Sequence, residues 1–173
     1  MKKYLLLFFF CLCALAVLIW SGVPREKALI KSATADRILI EKSSHTLTLF
    51  KNDQPLKTYP VSLGRGGLQA KTKEGDALTP EGIYKIDRRN PNSRYYLSLG
   101  IDYPDAKDRA RAEKNGVNPG GDIMIHGLMN GMGFVGTWHR LVDWTQGCIA
   151  LTDQEMEEIW NAVPDGTIVE IRP

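Results

Sequence analysis

The chain has 173 residues, enough for one domain with its own core once an apolar N-terminal stretch is set apart. It carries 22 basic and 20 acidic residues; with Lys2 and Lys3 set aside, 20 of each remain. That balance argues against a strongly electrostatic partner such as bulk nucleic acid.

Met1-Lys2-Lys3 is a basic leader, and residues 4–20 are apolar throughout. The run is at the lower limit for a spanning helix and slightly longer than the apolar part of a usual export signal. No small-x-small cleavage site follows it. Cys11 and Cys13 lack the small residues that an acylated lipoprotein cysteine needs before it. Residues 1–20 are therefore expected to be a signal peptide or a signal anchor, with Lys2 and Lys3 on the cytoplasmic side. The expected location is the periplasm or cell envelope, free or held at the inner membrane. Residues 21–35 are expected to be a linker, and 36–173 one domain.

From Asp36 the pattern is that of strands. Residues 37–42 and 45–51 are separated by Ser43 and Ser44, which suits a hairpin, and Leu47 and Leu49 alternate with Thr46, Thr48 and Phe50. Residues 55–64 form a further strand, with Pro60 marking an edge or bulge. Residues 64–82 read as a long, flexible polar loop; its GRGG lacks the Gly-Lys-Ser/Thr sequence of a phosphate-binding loop. Strands are expected over 79–86 and around Tyr95–Leu99, with a turn between them. Residues 104–116 predict a polar helix, with Pro104 in its first turn and Asn115-Gly116 as its stop. Thr152 and Glu155 form a capping box for a helix that places Met156, Ile159, Trp160 and Val163 on one face. Residues 167–172 close the domain as a strand. The expected fold is mainly β, a curved sandwich or barrel with one or two helices.

The chemistry concentrates in residues 122–150. They hold two of the three histidines, His126 and His139, and Cys148, the one cysteine outside the apolar run. An exported domain with a single cysteine closes no internal disulfide, so Cys148 is either a reactive thiol or a buried structural side chain. Residues 122–126 read as a buried strand ending at His126; a glycine-rich loop follows, and a second short apolar segment starts at Cys148. A histidine ending one strand and a cysteine starting another can face each other, with the imidazole acting on the thiol. Backbone N–H groups around Gly147 and Cys148 are candidates to meet a developing oxyanion. The rival use of His126, His139, Asp143 and Cys148 is a metal site, but their spacing matches no usual zinc pattern. Phe134, Trp138 and Trp144 are candidates for a lid or a sugar-peptide contact, or for packing.

Ile125-His126-Gly127, a glycine-containing loop and Thr145-Gln146-Gly147-Cys148-Ile149 resemble the L,D-transpeptidase (YkuD-type) catalytic domain of bacterial cell-wall enzymes. The upstream NDQPLKTYPVSLG and TPEGIYKI are similar to that family's early strands, so the resemblance spans residues 36–172. It implies a mostly β fold, no metal or organic cofactor, and a cysteine nucleophile that takes an acyl group from a peptidoglycan stem peptide. By this match Cys148 is the nucleophile and His126 the base, with Thr145, Gln146 and Gly147 the supporting motif positions. Two departures stand out. The family usually has histidine where Gln146 stands, so His139 is an auxiliary candidate, and Asp143 is a candidate to orient a histidine or, more commonly for such a carboxylate, to cap the loop. It often has Arg or Asn where Ala150 stands, and Arg140, Arg89 or Arg65 are candidates to compensate. The DWTQGCIA context is similar to a branch that includes murein hydrolases. The resemblance thus implies transfer of the acyl group to an amine in cell-wall synthesis. The alternatives are hydrolysis of a cross-link or of a protein–peptidoglycan link, and a silent envelope-binding domain.

Overall fold

Alternation of apolar and polar residues creates one apolar side on an extended chain, and the first hairpin follows from it. A computed structural model describes residues 33–173. The expected signal or anchor, and linker residues 21–32, lie outside the described residues. Strands β1 (Arg37–Glu41) and β2 (Thr46–Lys51) pair antiparallel, with Leu47 opposite Ile40 and Leu49 opposite Ile38. All four of these side chains are fully buried. β3 (Gln54–Pro60) returns along β2 as an edge strand, where Pro60 leaves no central ladder bond unmade.

β4 (Gly82–Ser93) runs seven positions past the Ile86 end expected from sequence, through the stretch read as a turn. Register shifts between Ile86 and Arg88, and again between Asn90 and Ser93, absorb residues that would otherwise end the pairing with β5 (Tyr96–Ile101). Bulges of this kind bend a strand and raise its twist. Helix α1 (Ala106–Lys114) begins later than Pro104 because Asp105 is its N-cap. The Asp105 carboxylate accepts the Asp108 N–H, and the Asp108 carboxylate accepts the Asp105 N–H. Asn115 and Gly116 end the helix as expected, Gly116 at φ 64°.

β6 (Met124–His126) leads into the glycine-rich loop, which contains a 3-10 segment, Gly133–Leu141, that the sequence pattern did not show. Gly136 kinks it at φ 51°. β7 (Ile149–Ala150), helix α2 (Asp153–Ala162) and β8 (Ile168–Arg172) complete the domain. Thr152 and Glu155 form the expected capping box on α2. Its buried Met156, Ile159 and Val163 join Ile125, Leu99 and Ile149 in one core.

The eight strands form one sheet in the order β3-β2-β1-β8-β4-β5-β6-β7. Its far edge is not left open. The chain just after β3 turns to β7, where Ser62 and Ala150 exchange backbone hydrogen bonds of 3.0 and 2.9 Å. Thr145 N–H then donates to the Leu63 carbonyl, and Arg65 N–H to the Thr145 carbonyl. The sheet is thereby rolled until its two ends touch, which is the curved, mainly β architecture expected. Among the described residues no helix is long and apolar enough to cross a membrane.

The 64–82 loop is pinned rather than free, a correction to its reading as flexible. Lys42 is fully buried, and its ammonium donates to the Gln69 carbonyl at 2.8 Å, the Thr79 carbonyl at 3.2 Å and Glu81 Oε1 at 2.7 Å. Burial would raise the Asp76 pKa, but the Lys71 ammonium and the N–H groups of Lys73, Thr72 and Leu78 outweigh it and hold the carboxyl well below its usual range. Replacing Lys42 with Met leaves Glu81 and two carbonyls without their shared donor. We expect Lys42→Met to cost about 3 kcal/mol in urea unfolding; a change within about 0.5 kcal/mol, the scale of ordinary surface substitutions, would show that the ammonium is not what holds the loop.

Candidate active site

Strand register places the candidate pair. His126 on β6 lies beside Ala150 on β7, and Ile125 beside Ile149. Side chains alternate along a strand with period two, so Cys148, two positions before Ala150, projects to the same face as His126. Ile125 and Ile149 point the other way, into the core, and are fully buried. On the far side of β6, β5 contributes Ser98 opposite His126 and Gly100 opposite Met124.

His126 is 4% exposed, and its Nδ1 lies 2.7 Å from the Gly127 carbonyl. A carbonyl only accepts, so Nδ1 carries the proton and Nε2 presents a lone pair. Aromatic rings hold the imidazole in place. Tyr95 is tilted against it at 4.6 Å between centroids, and Trp144 meets it edge-on at 5.7 Å. Burial pushes the His126 pKa down, opposed by the bond to the Gly127 carbonyl. The ring is therefore neutral at neutral pH and equipped to accept a proton.

Cys148 is the one free cysteine among the described residues. Its thiol donates to the Asp122 carbonyl at 3.6 Å. Burial pushes its pKa up; the Met124 backbone N–H and Lys71 act against that, and the Asp122 charge adds to it. The resting pair is thus a thiol and a neutral imidazole. Gly147, before the cysteine, sits at φ 120°, and a Cβ there would lie 2.6 Å from the Leu78 carbonyl oxygen. Only glycine suits that position. Its N–H is not free for an oxyanion, as the sequence reading allowed, because it donates to Thr145 Oγ1 at 3.1 Å. The Thr145 hydroxyl in turn donates to the Cys148 carbonyl at 2.8 Å, closing the turn on itself. The Cys148 N–H, in contrast, donates to no acceptor among the described residues.

The auxiliary candidates divide. His139 is buried next to Trp144, whose indole N–H donates to His139 Nδ1 at 3.4 Å. The Ser62 hydroxyl lies 3.1 Å from both Nδ1 and the His139 carbonyl. Since an indole only donates, Nδ1 is the acceptor and the ring proton sits on Nε2, which has no hydrogen-bond partner. Burial, with Arg140 adding to it, pushes the His139 pKa down to about 4. Asp143 orients neither candidate histidine. One of its oxygens lies 2.9 Å from His45 Nε2, and the other accepts the Leu63 N–H at 2.7 Å. Arg140 is held by both carboxylate oxygens of Glu155, inside the α2 capping box. Arg89 donates to the Val163 and Trp160 carbonyls at the end of α2. Gln146 is exposed, as is Arg65. Phe134 and Trp138 are 82% and 74% exposed, whereas Trp160 packs against the core.

Sequence reasoning missed Tyr95, Ser62 and the backbone carbonyls of Gly127 and Asp122. The Gly127 carbonyl had a signal, the glycine directly after His126. The other three are contacts made by folding, and nothing local announces them.

Residues 35–171 match the L,D-transpeptidase catalytic domain (YkuD) family. The protein named "Putative L,D-transpeptidase YafK" from Escherichia coli (strain K12) is 33% identical over 132 residues, covering 73% of this chain and 46% of the relative. "Putative L,D-transpeptidase YkuD" of Bacillus licheniformis is 28% identical over 142 residues, covering 79% of this chain and 66% of the relative. The chain thus spans about half to two thirds of the curated relatives it matches. Among solved structures, the helical cell shape determining protein Pgp2 from Campylobacter jejuni superposes with a TM-score of 0.62 at 24% identity, covering 82% of this chain and 48% of that one. The L,D-transpeptidase from Xylanimonas cellulosilytica gives a TM-score of 0.55 at 15% identity, over 91% and 68%. At those identities the two structures speak for the fold. The family match over nearly all of the described residues decides the assignment: this chain belongs to the L,D-transpeptidase (YkuD) catalytic-domain family.

Proposed function

We propose that the domain is a cysteine acyltransferase acting on peptidoglycan stem peptides, with Cys148 as nucleophile and His126 as general base. One observation supports the reading: Cys148 directly precedes β7, whose register with β6 turns it to the face of His126, and the Gly127 carbonyl keeps the His126 proton on Nδ1. His126 Nε2 takes the thiol proton as Sγ attacks the carbonyl carbon that precedes a terminal D-alanine. The C–N bond breaks, the D-alanine amine leaves with the proton from Nε2, and a thioester remains on Cys148. An acceptor amine then attacks the thioester, delivers its proton to Nε2, and the thiol is regained. The Cys148 N–H is the backbone donor left to stabilise the oxyanion of both steps. No metal or organic cofactor enters this sequence. If Sγ instead attacks the acyl carbon of a cross-link or of a peptidoglycan–protein link, that link's amine leaves with the proton from Nε2, and water resolving the thioester completes hydrolysis of the link. The envelope placement, with the inner membrane as a partner, rests on the basic leader and apolar run of residues 1–20.

The test incubates the full chain and its Cys148→Ala variant with purified muropeptides and resolves products by mass spectrometry. Cross-linked or amine-exchanged products made by the wild type alone are the expected result. Products that have gained water identify the hydrolase instead. Identical product sets for the two proteins, on monomeric, cross-linked and protein-linked material, would reduce the domain to a binding module.

The neutral resting pair makes a second prediction. With the thiol pKa raised above its usual value of about 8.5 and the imidazole pKa lowered, the thiolate fraction at pH 7 is small. Cys148 alkylation by iodoacetamide should rise about tenfold per pH unit from pH 6 to beyond 8. A rate that is already flat between pH 5 and 8 would mean a preformed thiolate–imidazolium pair and a different order of proton transfer.

A further inference from the structure

On the same sheet face as His126 and Cys148 lies a cavity of about 320 Å³, lined by Arg88, Arg89, Asn90, Ser98, Gly100 and Met124. Its position follows from register. Asn90 on β4 pairs with Ser98 on β5, which pairs with His126 on β6; one step along, Arg88 pairs with Gly100, which pairs with Met124. The cavity is therefore the continuation of the catalytic face, one strand away from the base, and Met124 joins it to the thiol.

Its lining is rich in donors and has no carboxylate. The Ser98 residue is 1% exposed, and its hydroxyl has no hydrogen-bond partner although it is buried. An unpaired buried hydroxyl is costly and marks a place where a partner belongs. Asn90 accepts the Asn92 N–H with Oδ1, which turns its amide nitrogen into a further donor. Arg88 lies over Gly100: a Cβ on Gly100 would stand 2.8 Å from Arg88 Nε, so the bare backbone there is what lets the guanidinium lie across β5. Arg88 touches Asp122 at 3.2 Å and Asp87 at 3.4 Å, but the Asp122 side chain is 79% exposed and both pairs face solvent. Pairs of that kind are weak and exchange readily for a better-placed carboxylate. Arg89, paired with Leu99 on the opposite face, gives its guanidinium to the carbonyls at the end of α2 and offers the cavity only its backbone.

We propose that this cavity is a carboxylate subsite. It holds a free carboxylate of the stem peptide through Arg88, Ser98 and Asn90 while a neighbouring carbonyl meets Cys148. The inference deepens the proposed function, and it rests on that reading for the identity of the peptide. A guanidinium fork with a hydroxyl and an amide N–H is a donor set that a carboxylate satisfies and a neutral amide does not.

The experiment measures protection of Cys148 in the full chain from iodoacetamide, as the ratio of alkylation rates with and without peptide. The probes are a synthetic stem tetrapeptide with free carboxylates and the same peptide with every carboxylate amidated. For the wild type, half-protection should need at least about tenfold less of the acid than of the amide. Arg88→Gln should bring the two within about twofold by weakening the acid, and Arg88→Lys, which keeps charge but loses the fork, should fall between. Ser98→Ala should weaken the acid several-fold. Equal protection by acid and amide in the wild type, no protection by either, or an unchanged ratio in Arg88→Gln overturns the subsite. Intact-mass spectrometry of the chain separates protection by binding from protection by a thioester, so the two readings fail separately. Arg88-dependent protection without turnover of any muropeptide keeps the subsite and removes the enzyme; turnover with no preference for the acid does the reverse.

Discussion

The position of the thiol depends on one backbone clamp, the pairing of residues 62–65 with 145–150. β7 is only two residues long, and β6 alone would hold it on one side. Ser62 supplies the other side by exchanging two hydrogen bonds with Ala150, and the Leu63 and Thr145 carbonyls continue the contact. Two glycines make the approach possible. A Cβ on Gly64 would sit 2.2 Å from the Ala77 carbonyl oxygen and 3.0 Å from Gly147 Cα, so side chains at either position would force the segments apart. Cys148 is thus placed by residues 62–65, far earlier in the chain, and the loop that Lys42 and Asp76 pin down lies directly behind its turn, with the Leu78 carbonyl against Gly147.

Burial then decides the electrostatics. It moves the pKa of Cys148 up and that of His126 down, so both favour their neutral forms, and no cation lies close enough to reverse either shift. A pair arranged in this way keeps its proton on the thiol at rest. A thiol that is not a standing thiolate is also a poorer target for oxidation.

Much of this arrangement was legible in the sequence, because the features concerned are local. The apolar run of residues 123–125 before His126 and the Thr152–Glu155 capping box are each contained in a few neighbouring residues, and each took the form expected of it. The failures were non-local. β4 crosses a polar stretch because bulges carry it, and a bulge has no signature in the pattern of polar and apolar residues. Asp143 turns to His45, 98 positions away, and Arg140 to Glu155, so two residues near the motif are spent on holding the fold. Tyr95 reaches His126 only because β5 lies next to β6.

The departure at Gln146 can be understood in the same terms. The resemblance placed a histidine there in most of the family, and Gln146, being exposed, brings no second imidazole to His126 and Cys148. His139 is the nearest substitute, but its low pKa and its Nδ1 bond to the Trp144 indole suit it to a different task. It is a neutral acceptor that fixes the rotation of Trp144, and Trp144 is the ring that bears on the edge of His126. Ser62, which hydrogen-bonds to His139, is also the residue that clamps β7. The orientation of the His126 ring and the position of Cys148 are therefore fixed from a single point. A second imidazole in the motif is unnecessary for that purpose: packing against Tyr95 and Trp144, together with the Gly127 carbonyl, already leaves the His126 ring one orientation and one tautomer.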